Sequence, residues 1–317
     1  MRREGSALSG AATVMLKELA DNLSSTRMRL LEILIFVTGA SAAYSTIGEV
    51  KDQLSEYPFV FLLIFTSAHE PLPSFVAFLG FLIPIVAIAL GFDSVNGEFN
   101  RRTMSRILAQ PIYRDALLIG KFLAGLITLA VVLSALWLLV LGLGILMLGV
   151  PPNTDEILRG LAFLLASIAY GGVWLALALL FSVIFNSAAT AALAALAVWL
   201  LFAFFWQMLV PLVTMAIAPP DPFDPLSTLR TIDIGMDIAR LSPNTLFAET
   251  TLAFLSPTTR ALGPILSTQM QGAVRGAPLP LGESLAIVWP QLTALLAAVI
   301  LLFVIAYVLF QRKEVRA

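Results

Sequence analysis

Long apolar stretches separated by short polar segments dominate this chain. A helix needs roughly 20 predominantly apolar residues to cross the hydrocarbon core of a bilayer. Six stretches reach about that length, so the pattern predicts an all-α polytopic membrane protein with six transmembrane helices. The expected spans are 28–47, 74–95, 119–149, 158–185, 188–217 and 284–310.

The first span has the weakest pattern, because it contains Glu32 together with several hydroxyl side chains. We expect Glu32 to be a structural carboxylate, paired with Arg29 or with a neighbouring helix, although an ionisable residue inside a membrane can also be functional. The apolar run 57–68 that follows is too short to cross alone. It is therefore expected to be a re-entrant or outer-leaflet piece.

Only Phe185-Asn186-Ser187 separates the fourth span from the fifth. So short a connection predicts a tight antiparallel hairpin between the two helices. Small residues stand four apart on both sides of it, at Ser167 and Gly171 and at Ala188 and Ala192, and such spacing lets membrane helices approach closely. We expect these residues to lie where the two helices face each other.

Residues 218–283 form the longest segment between spans. Four prolines predict an extended start, and the pairs Ser242-Pro243 and Ser256-Pro257 resemble helix N-termini, with serine as cap and proline at the first position. We expect two short helices after these pairs, dipping into the outer leaflet or capping the bundle. Its four aspartates, Asp221, Asp224, Asp233 and Asp237, have no calcium-loop spacing and are expected to be solvated.

The positive charges predict the orientation, because Lys and Arg are retained on the cytoplasmic side. With both termini in the cytoplasm, the inner segments hold thirteen Lys and Arg residues and the outer segments hold six, Arg159 among them. Residues 1–27 are expected to form a cytoplasmic or interfacial helix, with Met15, Leu16, Leu19 and Leu23 on one face. Residues 96–118 then lie in the cytoplasm, and 218–283 lie outside it.

Composition agrees with a membrane protein. The chain is 59% hydrophobic and 12% charged, and its mean hydropathy is +0.93. It has no cysteine, which excludes disulfides and thiolate chemistry. The formal net charge is −1. We expect the lipid bilayer to surround the chain, and we expect no binding of nucleic acid.

The most charged segment between two spans runs from Asp93 to Lys121, and we call it the charged island. After Gly97 its apolar residues follow the spacing of an amphipathic helix, which predicts a short helix that ends at Gln110. Pro111 disfavours helical geometry before it, so the chain is expected to turn there and restart toward the third span.

The order of residues in the charged island resembles the segment between the second and third spans of ABC-2 type permeases. That family shows a Glu, then Gly-Thr-Leu, leucines, a Pro, an Arg, and Gly-Lys before the third span. In this chain Arg102 stands where the family commonly has Gly, and Met104 stands where it has Leu. The matching residues are Glu98, Arg101, Arg102, Thr103, Met104, Arg106, Ile107, Leu108, Pro111 and Arg114, with 117–121 behind them.

The resemblance implies that these residues form a coupling helix seated in a separate ATPase subunit. It also implies a half-transporter that pairs with a second copy or a homologue and works as an ATP-driven exporter in a prokaryotic inner membrane. ATP and magnesium would then belong to the partner ATPase, and this chain would need no cofactor. The Lys17-Glu18-Leu19 triplet matches a similar triplet near the family's N-terminus.

Other chemistry finds little support in the sequence. The third to sixth spans have no charged residue in their interiors, which argues against a carrier driven by an ion gradient. Gly120-Lys121 is not a phosphate loop, because Asp115 and Phe122 replace the required Gly and Ser or Thr. We therefore expect no ATP binding and no enzymatic activity in this chain.

Two alternatives to a permease stay open. A membrane enzyme acting on lipids would need a cluster of His, Asp or Glu at one leaflet, and the single histidine, His69, has no such cluster. A membrane scaffold or accessory subunit would share the span pattern. The aromatic run 202–206 favours an amphipathic or apolar cargo, but such runs also serve packing and lipid contact.

Overall fold

The computed structural model describes residues 7–51, 59–67, 74–104, 113–221, 223–260, 262 and 278–313, and these ranges contain helices without strands. The helices are α1 (Ala7–Ser24), α2 (Thr26–Val50), α3 (Val60–Thr66), α4 (Phe75–Gly91), α5 (Asn96–Asn100), α6 (Arg114–Leu148), α7 (Thr154–Ile184), α8 (Ala188–Leu200), α9 (Trp206–Ile217), α10 (Pro225–Ala239), α11 (Pro243–Leu255) and α12 (Leu281–Arg312). A π-helical turn, Leu201–Phe205, joins α8 to α9.

Six helical stretches within the described ranges are long and apolar enough to cross a membrane, which confirms the predicted number. They are Thr26–Gly48, Phe75–Asn100, Arg114–Leu148, Thr154–Ile184, Ala188–Ile217 and Leu281–Arg312. The third begins at Arg114, five residues before the predicted span. The helix therefore starts within the charged island.

Helix α7 is the centre of the bundle and packs against α4, α6, α11 and α12. A helix that is apolar on all sides is suited to such a buried position. Its contact with α4 is unusually close at Gly91, where a Cβ atom would lie 2.8 Å from the Cβ of Ala178 and 3.0 Å from the carbonyl oxygen of Leu175.

Helix α1 lies along α6, as a separate element at one end of the bundle. Ala11 and Val14 are the buried residues of the contact. The helix was expected within 1–27, with Leu16 and Leu23 on its apolar face, and these two side chains are exposed at 61% and 38%. That face therefore points away from α6, and its contact with a membrane surface stays a prediction.

Short helix α3 is packed into the bundle with most of its residues buried. The backbone N–H of Phe61 donates to Oε1 of Glu156 at 2.8 Å, while the other oxygen of that carboxylate accepts from the N–H of Asn153 at 2.8 Å. Asn153 in turn caps Glu156, so one carboxylate fixes the starts of α3 and α7. The first part of the predicted 57–68 piece lies outside the described residues.

Glu32 is half-buried, and in the described part of the chain it has no ion pair. The expected pairing with Arg29 is wrong, because the guanidinium of Arg29 donates to the backbone oxygen of Ser24 at 2.8 Å. That carbonyl belongs to the last turn of α1, where it lacks an intrahelical donor.

The predicted hairpin between the fourth and fifth spans is confirmed. Helix α7 ends before Phe185, and the side chain of Ser187 accepts from the N–H of Thr190 at the start of α8. The small-residue interface is placed differently from the prediction. A Cβ on Gly171 would lie 3.0 Å from Ile83 and 3.2 Å from Leu129. Gly171 therefore allows α4 and α6, rather than α8, to pack closely against α7.

Helices α10 and α11 form a hairpin that enters the bundle. Halfway along α10, Thr231 Oγ1 donates to the carbonyl oxygen of Ala218 at the end of α9 at 2.8 Å, and near the tip the indole N–H of Trp206 donates to the carbonyl oxygen of Ala239 at 3.2 Å. Helix α10 thus returns along α9. The tip, residues 240–242, lies about 16 Å into the bundle. Asn244 next to it accepts from the hydroxyl of Tyr170, which is eleven residues along α7 from Arg159 near the start of that helix.

The sequence predicted only part of this hairpin. The helix after Ser242-Pro243 is observed, as Pro243–Leu255, but the prolines of 219–225 do not give an extended segment alone, because α10 begins at Pro225 with the side chain of Asp224 accepting from Leu226 N. After Ser256-Pro257 the described residues to 260 are turn and coil rather than helix, and 263–277 lie outside the described residues.

Arg159 is a charged residue near the start of the fourth span, and its burial was not expected. Its placement among the outer residues stays a prediction, but its side chain is fully buried at 0% exposure. Its guanidinium pairs with Asp155 at 2.6 Å and donates to the backbone oxygens of Phe254 and Leu279 and to Ser284 Oγ at 3.2 Å. One arginine therefore ties α7 to the end of α11 and the start of α12.

Candidate functional site at the charged end of the bundle

The charged island lies at one end of the bundle, which we call the island end. Helix α1, residues 92–104, the start of α6, the turn after α7 and the end of α12 meet there. An open cavity of about 220 Å³ lies at this end between α1, the start of α2, residues 90–101 and Lys121 of α6. Its lining is mainly polar and charged: Lys17, Glu18, Asp21, Asn22, Ser25, Arg27, Leu90, Asp93, Ser94, Gly97, Glu98, Arg101 and Lys121.

Lys121 is the buried centre of this end. Its side chain is 3% exposed, and its Nζ lies 2.9 Å from Oε1 of Glu18 and 3.4 Å from Oε1 of Glu98. Glu98 also accepts from the hydroxyl of Thr103. A buried ammonium needs such partners, since charge is costly in a low-dielectric environment. Lys121 thereby links α1 and α5 to α6.

Close packing brings the two acids to Lys121. A Cβ on Gly120 would lie 2.7 Å from the Cβ of Val14 and 2.9 Å from the carbonyl oxygen of Ala11, so only glycine lets α1 approach α6 this closely. Glu18 follows Val14 one turn along α1 and therefore reaches Lys121. Gly120 and Lys121 are therefore part of a helix, and the ammonium group of Lys121 is already bound by Glu18 and Glu98. They do not form a phosphate-binding loop.

Residues 92–104 are fastened to the last turn of α7 and to the link between α7 and α8. Ser182 Oγ accepts from the backbone N–H groups of Val95 at 2.9 Å and Asn96 at 3.2 Å. Asn100 Nδ2 donates to the carbonyl oxygen of Asn186 at 3.0 Å. The backbone N–H of Asn96 is thus satisfied. Its side-chain amide is fully buried and has no hydrogen-bond partner within the described residues.

An ion pair joins the same segment to the start of α2. The guanidinium of Arg27 makes two hydrogen bonds to the carboxylate of Asp93, at 3.0 and 3.3 Å, and its Cζ lies 5.0 Å from the ring centroid of Phe92. Bidentate geometry with ring stacking orients arginine more firmly than a single contact does. The end of the second span is therefore held against the first.

The C-terminal end of α12 completes the site. Lys313 Nζ donates to the carbonyl oxygen of Val183 at 2.7 Å and lies 4.9 Å from the ring centroid of Phe99. Burial lowers the pKa of the Lys313 amine, because desolvation disfavours its charged form. Arg114 donates to the carbonyl oxygen of Lys313 at 2.8 Å and lies over the ring of Phe310.

On the exposed side of α1, Lys17 lies 3.0 Å from Glu18 and 3.0 Å from Asp21. Burial opposes its charged form, but the hydrogen bonds and negative charges of these two acids outweigh that effect, so the pKa of Lys17 lies above its ordinary value. The rim of the cavity therefore alternates positive and negative groups.

The predicted continuous helix from 98 to 110 is wrong at its start. Helix α5 ends at Asn100, and Arg102 has a φ of 56°. The N–H of Thr103 donates to the oxygen of Glu98 and that of Arg102 to the oxygen of Phe99, which is the bonding of a Schellman motif with Arg102 at the left-handed position. Glycine is favoured there because it enters the left-handed region without a Cβ penalty, and Arg102 is the position at which the resemblance led us to expect Gly.

The expected partner-facing apolar surface also needs correction. Met104 is 2% exposed and belongs to the protein's own core, so it is not available to a second protein. Arg101 and Arg102 are exposed, whereas Thr103 and Arg114 are half-buried. The remaining predicted residues, Arg106, Ile107, Leu108 and Pro111, lie outside the described residues.

The sequence analysis did not assign several residues of this site. Glu18, Arg27, Asp93, Ser182 and Lys313 all contact the island or fasten it. Their partners are distant in sequence, so no local spacing indicates them. The only signals were the Lys-Glu-Leu triplet and the Gly-Lys pair, and the two contain the bonded residues Glu18 and Lys121.

These features define a class: a polytopic helical membrane protein whose described spans gather at a charged end. A profile described as ABC-2 family transporter protein matches residues 12–315. The chain therefore belongs to the ABC-2 transporter family, whose permeases are membrane components of ABC transporters and are not themselves the ATPases.

Two relatives with the name probable ABC transporter permease protein NosY are similar to part of the chain. The protein of Stutzerimonas stutzeri is 29% identical over 177 residues, which cover 56% of this chain and 60% of the relative. That of Pseudomonas aeruginosa is 29% identical over 213 residues, which cover 65% of this chain and 70% of the relative. The first match thus spans less than two thirds of the relative's length.

Proposed function

We propose that this chain is the permease subunit of an ATP-driven exporter, embedded in a prokaryotic inner membrane and paired with a second copy or a homologue. Separate ATPase subunits bind its island end, and ATP and magnesium belong to them. Family membership and the two permease relatives support this proposal.

One observation carries the coupling part of the proposal. Residues 92–104 are bonded to the start of α2 through Asp93, to Lys121 of α6 through Glu98, and to the last turn of α7 at Ser182, while Lys121 also pairs with Glu18 of α1. A displacement of the island would therefore reach several spans at once. Residues 105–112, which follow directly, are the segment that we assign to the ATPase contact.

Since Met104 belongs to the protein's own core, the apolar anchor of that contact falls to Ile107 and Leu108. Central apolar groups hold an interface together, whereas charges at its rim mainly set association rate and salt dependence. Arg101 and Arg102, both exposed, and Arg106 would supply such rim charges toward acidic groups of the ATPase.

Recovery of the ATPase subunit with affinity-purified permease tests this assignment. Leu108→Asp places a charge in the centre of the contact and should abolish recovery, while Arg106→Ala should weaken it in a salt-dependent way. Phe223→Asp is the control, because Phe223 is 95% exposed and distant from the island end. Equal recovery of the ATPase with all three variants would overturn the coupling assignment.

The direction of transport needs its own measurement. In inverted membrane vesicles an exporter should accumulate its cargo inside on addition of ATP, and vesicles with Leu108→Asp permease should not. Accumulation only in right-side-out vesicles would contradict export. Pairing of two copies is tested by cross-linking single-cysteine variants, which the absence of native cysteine makes straightforward.

A further inference from the structure

A second open cavity, of about 500 Å³, lies between the α10–α11 hairpin and α12. Its lining is largely apolar, with Leu241, Leu246 and Ile287 among the walls, and it includes the polar side chains of Asp237, Arg240 and Gln291. This combination of apolar walls and few polar groups is typical of small-molecule sites.

The hairpin carries Asp237 and Arg240 into the part of the bundle that the spans cross, and α12 contributes Gln291. Asp237 and Arg240 lie near the tip, whose neighbour Ala239 bonds Trp206 eleven residues from the end of α9, or about 16 Å. Gln291 is seven residues along α12 from Ser284, or about 10 Å. Charged residues at such depth are costly and commonly mark a ligand path.

The charges of this cluster do not cancel. Arg240 Nε lies 2.9 Å from Oε2 of Glu249, and Gln291 Nε2 donates to the same oxygen at 2.8 Å. Glu249 is therefore neutralised by Arg240. Asp237 is exposed to the cavity and has no ion-pair partner within the described residues. One negative charge is left over.

Gln291 supplies a second sign of an incomplete site. The residue is only 4% exposed, and its Oε1 has no hydrogen-bond partner in the part of the chain that the structure describes. A buried acceptor without a donor is unfavourable. An unsatisfied acceptor therefore adjoins the cavity that Asp237 also lines.

From these observations we propose that the cavity binds an amphipathic cation, a molecule with an ammonium group and a hydrocarbon tail. The ammonium group pairs with the carboxylate of Asp237 beside Gln291, and the tail packs on Leu241, Leu246 and Ile287. An anion is disfavoured, because Arg240 is already paired and Asp237 repels it. A bare calcium ion is disfavoured by the carbon-rich lining, since it requires six to eight oxygen ligands.

That the bound molecule is cargo rests on the proposed transport function, but binding itself does not. The test therefore uses the full-length chain alone in lipid nanodiscs, without ATPase. Radiolabelled decylammonium is the probe, empty nanodiscs correct for partitioning into lipid, and decanol and decanoate are competitors of equal tail length. Saturable binding that decylammonium displaces, and that decanol and decanoate do not, is the expected result.

Variants identify the residue. Asp237→Asn should weaken decylammonium binding by about tenfold or more, and Asp237→Lys should transfer the preference to decanoate. Asp233→Asn is the matched control, because Asp233 is also exposed on α10 and does not line the cavity. Absence of saturable binding, or equal affinities of Asp237→Asn and Asp233→Asn, would overturn this proposal and leave the ATPase recovery test unaffected.

Discussion

The ammonium nitrogen of Lys121 lies 2.9 Å from the carboxylate of Glu18, although the two residues are 103 positions apart. Lys121→Met should destabilise the protein by roughly 2 kcal/mol, less than for a fully buried pair, because Glu18 and Glu98 keep some solvent contact. The melting temperature of the detergent-purified chain measures this.

Lys17→Met is the control for that variant. Lys17 lies 3.0 Å from the same Glu18, but its side chain is 59% exposed, so its removal should cost about 0.5 kcal/mol or less. Equal melting temperatures of the two variants would show that the buried ion pairs of Lys121 contribute no more to the free energy of unfolding than the exposed pair of Lys17 does.

Arg102→Gly should stabilise the chain by about 1 kcal/mol, because glycine enters the left-handed region without the Cβ penalty. Arg101→Gly should not stabilise, since Arg101 has an ordinary φ of −80° at the end of the same helix. Melting temperatures of both variants decide the matter. A loss of stability in Arg102→Gly as large as that in Arg101→Gly would contradict the motif.

Arg159→Met should destabilise by about 3–5 kcal/mol, because it leaves buried carbonyl oxygens without donors and Asp155 without its partner. Hydrogen exchange should also rise in α11, whose last turn Arg159 bonds. Arg230→Met, at an exposed position, serves as the comparison. Unchanged exchange in α11 would refute the role of Arg159 in fastening the hairpin.

Gly120→Ala should push α1 away from α6, since the added Cβ would lie 2.7 Å from Val14; overpacking of this kind costs about 1–3 kcal/mol. Spin labels at Leu16→Cys and Leu123→Cys measure the separation, which should lengthen. Gly142→Ala on the same helix meets nothing within 4 Å and should leave it unchanged. An unaltered distance in both variants would disprove the tight contact.

Orientation in the membrane stays a prediction from the distribution of Lys and Arg. A reporter that is active only in the cytoplasm should work when fused after Ala317 or within 98–116, and it should be silent within 225–280. A silent fusion at position 105 would reverse the arrangement and move the ATPase contact to the wrong side.

The sequence predicted the spans well because their signal is local. An apolar run of the right length suffices, and the three-residue link 185–187 leaves no choice but a hairpin. Helix α10 was missed for the opposite reason. Its 15 residues mix aspartates with apolar positions, so it resembles a solvated loop unless its packing against α9 is known.

The sequence drew attention to the charged island but did not predict its geometry, and its role as a binding site stays a prediction. Resemblance located the island and drew attention to Arg102, yet only backbone dihedrals show that this residue ends a helix. Met104 was assigned to a partner because it is apolar, and burial inside the chain gives the same pattern. Arg159 illustrates a further limit, since three of its partners are between 95 and 125 residues away.

The π-helical turn Leu201–Phe205 amounts to one surplus residue in the fifth span. An additional residue rotates everything after it by about 100° relative to an uninterrupted α-helix. Trp206 meets the carbonyl oxygen of Ala239 from this rotated position. Deleting one residue from 201–205 would restore a regular helix still long enough to cross the bilayer, but it would turn a different stripe of α9 toward α10. The side of α9 on which the hairpin packs is thus set by the number of residues in the π-helical turn 201–205 rather than by the hairpin itself.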